Sequence, residues 1–257
     1  MGSSPLACIG LAVANSDGLS NLLYLAAQPV GEFGGIRVLR WQDPSGAALV
    51  LGCREEGRVV EVMPTYTAAA GGILADCRLV SEPVAVAAVV DEDGTQLTAM
   101  AFEAEEYRQI EAGGRPVGGR ARITAFGVSV RVHADEDAYS TSPDSLFDPS
   151  AEHGNEIRMG SQSFISYGAF EAGLGAAEPT AHARLAGVVL RASHRTCALT
   201  GQGFSVATVQ SSGFAADVCL ADTEHPITPA PGNIISGTVL LTAAFMGEAF
   251  AGGIRYV

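Results

Sequence analysis

The sequence predicts a mainly β protein: two related antiparallel β modules, small OB-like barrels or sandwiches, with one short N-terminal helix. Three observations lead there. From Ile36 onward, β-branched or alternating runs are separated by turn tetrapeptides, which is how hairpins read. With 47% hydrophobic and 17% charged residues, the chain has a core to bury and is neither disordered nor fibrous. Finally, stretches on either side of an acidic segment resemble one another.

The helix comes first. Ser16 or Asp17 can cap it, and Leu19, Leu22, Leu23 and Ala26 fall at i, i+3, i+4 and i+7 before Pro29 and Gly31 end it, so the helix is placed near 17–28. Val38 to Trp41, Ala48 to Cys53 and Val59 to Met63 follow as a meander, turned by Asp43-Pro44-Ser45-Gly46 and Glu55-Glu56-Gly57. Ile73 to Val80, Val84 to Val90, Gln96 to Phe102 and Arg120 to Val132 continue it, with helical propensity between Phe102 and Glu111.

A degenerate repeat is expected. Asp91 to Gly94 with Leu97 and Ala99 lies over Thr200 to Gly203 with Val206 and Thr208, and Gly119 to Phe126 lies over Gly237 to Ala244. This divides the chain into an N-terminal module over 1–134, an acidic linker or loop over 135–156 and a C-terminal module over 157–257. The middle segment holds seven acids and no base, so it reads as solvated.

Charge excludes some partners. All 15 basic residues are Arg, 28 residues are acidic, and the formal net charge is -13. Nucleic acid and anionic membrane surfaces are disfavoured, because both recruit cationic side chains. The apolar run Leu6 to Ala14 lacks a basic leader and is too short to span a bilayer. Five scattered cysteines without a C-x-x-C pair read as buried free thiols in a reducing, cytoplasmic setting. No metal or cofactor motif is present: the histidines lack zinc spacing, the acids lack EF-hand spacing, and neither a G-x-G-x-x-G nor a Walker pattern occurs.

Four residues remain as candidate catalytic or ligand-contacting groups. Tyr66 and Tyr167 each close a predicted strand before a small-residue loop, where a barrel rim could present a hydroxyl to a ligand. His194 lies in the polar cluster His194-Arg195-Thr196-Cys197, although in a strand it and Cys197 face opposite ways. His225 follows Asp222 and Glu224, which could orient an imidazole.

Two functions from different classes fit. The first is a non-catalytic binding or assembly protein that meets a second copy or another protein through exposed sheet edges. The alternative is an enzyme enclosing an apolar small molecule in a β-barrel with few polar residues.

Overall fold

The computed structural model describes residues 2–12, 26–55, 57–148, 156–175 and 178–247. The predicted helix falls mostly on 13–25, outside the described residues, and Gln28 already begins a strand.

The chain is mainly β, with thirteen strands in two sheets among the described residues. The smaller sheet is an antiparallel meander of β1 (Gln28–Phe33), β2 (Ile36–Gln42), β3 (Ala47–Cys53) and β4 (Val59–Tyr66). The larger holds β5 (Gly71–Ser81), β6 (Val84–Val90), β7 (Gln96–Ala104), β8 (Val117–His133), β9 (Ser163–Ser166), β10 (His182–Thr196), β11 (Gly203–Gln210), β12 (Ala215–Ala221) and β13 (Ile234–Phe245). Among the described residues three short helices interrupt them: α1 (Tyr107–Gly113), α2 (Glu136–Thr141) and α3 (Tyr167–Gly173). Among the described residues no helix is long and apolar enough to cross a membrane.

Pairing in the larger sheet runs in two closed circuits. β5 pairs antiparallel with β8 and β6, β6 with β7, and β7 runs parallel beside β13. β10 pairs antiparallel with β13 and β11, β11 with β12, and β12 runs parallel beside β8. The long antiparallel pair β8–β13 belongs to both circuits, and on it Thr124 stands opposite Thr242. Neither circuit is therefore built from one side of the acidic segment alone. β7 closes on β13, from the far side of the acidic segment, and β12 closes on β8, from the near side.

Local chemistry fixes the turns and bends. At the β2–β3 turn Asp43 accepts the Ser45 N–H at 2.9 Å, and Gly46 takes the positive φ of 95° that its position needs. Gly119 and Gly237, predicted to open equivalent strands, lie within β8 and β13 with φ of 147° and 138°. The other predicted match is not kept by the pairing. Gly94 precedes β7, which closes a circuit through a parallel pair, whereas Gly203 opens β11, which lies between two antiparallel neighbours.

The acidic segment differs from the solvated loop expected of it. Asp135 caps α2 by accepting the Ala138 N–H at 2.8 Å, and Tyr139 is only 1% exposed, packed with Ala186 and Ile234. Tyr139 also meets His133 edge to face. Tyr139, the buried Ser145 and the bonds from Arg158 and Arg184 to backbone carbonyls dock its first half, while Asp135, Glu136 and Asp137 stay exposed. Residues 149–155 lie outside the described part.

Besides the small Tyr139 cluster, two large apolar clusters are found among the described residues. One runs through both circuits and includes Leu74, Phe102, Ile123, Leu185, Val209 and Leu241. The other joins the meander to the larger sheet, packing Leu39, Trp41, Leu49 and Tyr66 with Phe126, Phe204 and Cys219. The N-terminal turn Ala7–Ile9 fills in beside β12 and β11.

Candidate functional site

The cleft that the structure opens lies where the end of β4 meets the far end of the β10–β11 hairpin. A bulge between Val189 and Arg191 resets the register of β10. From there Arg191, Ser193 and Arg195 point to one side, paired with Thr208, Val206 and Phe204 of β11. On β12 the next positions across are Asp217, Cys219 and Ala221. Tyr66, Thr67 and Ala69, from the end of β4 and the loop after it, form the opposite wall. The cleft measures 430 Å³, and its lining is mainly polar.

Its floor is a hydrogen-bonded relay. Arg191 donates through Nε to Thr208 Oγ1 at 3.1 Å, and Thr208 donates to Asp217 Oδ1 at 2.5 Å. The other carboxylate oxygen, Oδ2, accepts the backbone N–H groups of Ala69 at 2.7 Å and Ala70 at 3.2 Å. Asp217 is 3% exposed, so these donors replace the water that a buried carboxylate loses. They also tie the loop after β4 to β12.

Tyr66 forms part of the wall. Its ring meets Phe204 edge to face, with centroids 6.3 Å apart. Burial pushes the phenol's pKa above its usual value; Cys219 and Asp217 add to that, while Arg195 pulls the other way by charge and hydrogen bond. At neutral pH the hydroxyl keeps its proton and can donate. Thr67 Oγ1 is buried and has no hydrogen-bond partner among the described residues. Arg191 and Arg195 face one carboxylate, and neither forms a salt bridge with a described residue. The cleft is locally cationic in an acidic chain.

Of the four predicted residues, Tyr66 alone lines this cleft. His194, one residue before Arg195, faces the other side of the sheet, where its Nε2 lies 2.7 Å from Asp222 Oδ2. His225 is not with them: burial pushes its imidazole pKa down, the charge of Glu224 opposes this, and Nε2 is buried without a partner among the described residues. Tyr167 does not close a strand. It opens α3, capped by Ser166, and is 38% exposed.

Two features that sequence reasoning passed over are Asp217 and the arginine pair. The signal for Asp217 was a lone carboxylate inside the apolar run Ala215 to Ala221. Arg191 and Arg195 had the spacing of one strand face, but alternating polar residues on a strand usually face water.

A second polar cluster lies between the meander and β7. Arg40 and Thr65 both donate to Glu105, while Tyr107 and Arg108 donate to Glu61 at 2.6 and 3.0 Å. Burial, and then the charge of Glu61, pushes the Glu103 carboxyl up to about 7. Burial and the neighbouring Glu105 raise Glu106 as well. The cavity here is 10 Å³, room for no more than a water. These groups join two sheets.

All five cysteines are buried and free. Burial raises the thiols of Cys8 and Cys77 to about 12, too high for a thiolate at neutral pH. Among the described residues no group of His, Cys, Asp and Glu is arranged to hold a metal ion.

No protein-family model matches the chain, and neither a curated protein nor a solved structure matches it significantly.

Proposed function

We propose that this is a non-catalytic binding protein whose cleft, walled by Tyr66 and floored by Asp217, takes a small anionic ligand. The observation that carries the reading is the position of Arg191 and Arg195 on one strand face over that cleft, with no ion-pair partner among the described residues. Guanidinium groups suit carboxylate and phosphate oxygens, and the volume is that of a metabolite site. Catalysis has less support. Asp217 already accepts three hydrogen bonds, and the phenol of Tyr66 is held protonated, so neither is poised as a base. The cleft lining favours a polar ligand over the apolar small molecule expected from sequence.

We also propose that β5–β8 and β10–β13 are copies of one duplicated unit. The two sets pair in the same order and close through the same parallel contact. Register shifts fall at Leu79/Ser81 in one and Val189/Arg191 in the other. Ile123 N–H donates to Ala70 and Leu241 N–H to Ala181, both at 3.0 Å. The copies differ just past the bulge: Glu82 and Pro83 alone join Ser81 to Val84, whereas residues 192–207 lie between Arg191 and its partner Thr208. The cleft thus belongs to an extension carried by one copy.

Thermal unfolding at matched ionic strength tests the binding reading. Citrate and phosphate should stabilise the protein relative to chloride, by about 2.7 kcal/mol at roughly a hundredfold excess over Kd. Arg195→Glu should remove the stabilisation. Equal stabilisation of the wild type and this variant would overturn the reading.

A further inference from the structure

We propose that the ligand of the cleft is a small organic dianion, with one acid group held by Arg191 and a second, at the other end of a short polar chain, held by Arg195. This rests on the reading of the cleft as an anion site. Arg191 and Arg195 are four residues apart on a regular part of β10, which puts their α-carbons about 13 Å apart. The head group of Arg191 is anchored at its own level of the strand. Arg191 is drawn towards β11 by its Nε–H bond to Thr208, which leaves four of its five N–H donors outside that bond. Arg195 lines the cleft two positions beyond Ser193, on the side of the site where Phe204 and Tyr66 meet edge to face. The backbone spacing and the Arg191–Thr208 bond thus set the two cations out along the cleft, one at each end of the Arg191–Arg195 stretch.

What lies between them suits a polar connecting chain. Ser193 shares their face at the midpoint, Val206 stands opposite it on β11, and the buried Thr67 Oγ1 belongs to the facing wall with no protein partner among the described residues. A hydroxyl, keto or amide group on the ligand would meet Ser193. Asp217 keeps its negative charge beneath the floor, where three protein donors hold it, and the two arginines over the cleft outnumber it.

Titration calorimetry of the full chain provides the test, using glutarate and adipate as two-ended probes and butyrate and hexanoate as one-ended probes at constant ionic strength. The dicarboxylates should bind about tenfold more tightly or better, since each end adds a charge-assisted contact. Arg191→Gln and Arg195→Gln should each bring dicarboxylate affinity to within about twofold of the monocarboxylates, with cooperative thermal unfolding retained as the control for folding. Equal affinity of the two classes for the wild type would overturn two-ended recognition and leave the anion cleft standing. The same conclusion would follow if one arginine variant lost all binding while the other lost none. Absence of heat with every probe, inorganic phosphate included, would overturn both proposals.

Discussion

The ring of Tyr66 lies so close over Gly46 that a β-carbon at that glycine would fall 2.6 Å from ring Cε2. The β2–β3 turn and the cleft wall are thus in direct contact, and the turn glycine serves two purposes: a positive φ of 95° and clearance for an aromatic ring.

Gly46→Ala should therefore cost more than the same change at Gly94, which has a similar φ of 82° but no atom within 4 Å of the added carbon. Backbone strain alone predicts about 1–2 kcal/mol at Gly94. At Gly46 displacement of the ring should add about 1–3 kcal/mol. Urea unfolding of both variants measures the difference, and near-ultraviolet circular dichroism should change for Gly46→Ala alone.

Asp217→Asn replaces one of the carboxylate's acceptor oxygens with a donor, against two N–H groups and a hydroxyl. It should destabilise the fold by about 1–3 kcal/mol, the cost of leaving a buried donor unpaired. Thr208→Val should be non-additive with it, because the two side chains share a hydrogen bond. A double-mutant cycle by chemical denaturation reads the coupling; strict additivity would mean that the relay contributes nothing.

For Glu103, burial and Glu61 raise the carboxyl to about 7 from an ordinary 4.5, so the folded state holds a proton that the unfolded chain has released. This group's contribution is fully present below about pH 4.5 and is lost as pH rises through about 7, with a slope of about 1.4 kcal/mol per pH unit inside that window. Glu106 is shifted in the same direction. Glu103→Gln should flatten the stability profile between pH 5 and 8 and raise stability at the upper end, about 3 kcal/mol at the limit. An unchanged profile would contradict the assignment.

Asp43 titrates with the opposite sign. Burial raises its carboxyl, but hydrogen bonds from Ser45, Ala198 and Leu199 outweigh that and hold it below the usual range. Its stabilising effect is present above the unfolded pKa and lost as pH falls through the lower, folded one. Through the Ala198 N–H, 3.0 Å from Oδ2, Asp43 holds the β10–β11 connection against the meander. Asp43→Ala should speed amide exchange at Ala198 and Gly46 at neutral pH and leave β8 unaffected.

Much of the strand pattern was legible, because a strand with one buried face shows alternation and its turns show Asp, Gly and Pro. Val84 to Val90 and Gln96 to Phe102 lie within the observed β6 and β7. The helical propensity between Phe102 and Glu111 matches α1 only from Tyr107 onward, since Phe102 to Ala104 are buried in β7 against β6. Partner choice was not legible: nothing in the residues of β7 says that it closes on β13, because parallel neighbours share only Thr242 with Glu103 and Ala243 with Ala104. The site was half-legible for a similar reason. Tyr66 could be placed at a strand end from its own segment, whereas Arg191 and Asp217 gain their meaning from Thr208 between them, across two strand pairings that no local window contains.

The shared β8–β13 pair has a consequence for how this chain leaves the ribosome. When β5 to β8 have been synthesised, β7 and β8 still present unmatched backbone groups, since the strand that pairs with both is β13. The first half must wait through more than a hundred residues of translation with those edges bare, and its closure is delayed until Phe245 clears the exit tunnel. Of the strands made in that interval, β10 to β12 belong to the second circuit, so both circuits close together when β13 arrives.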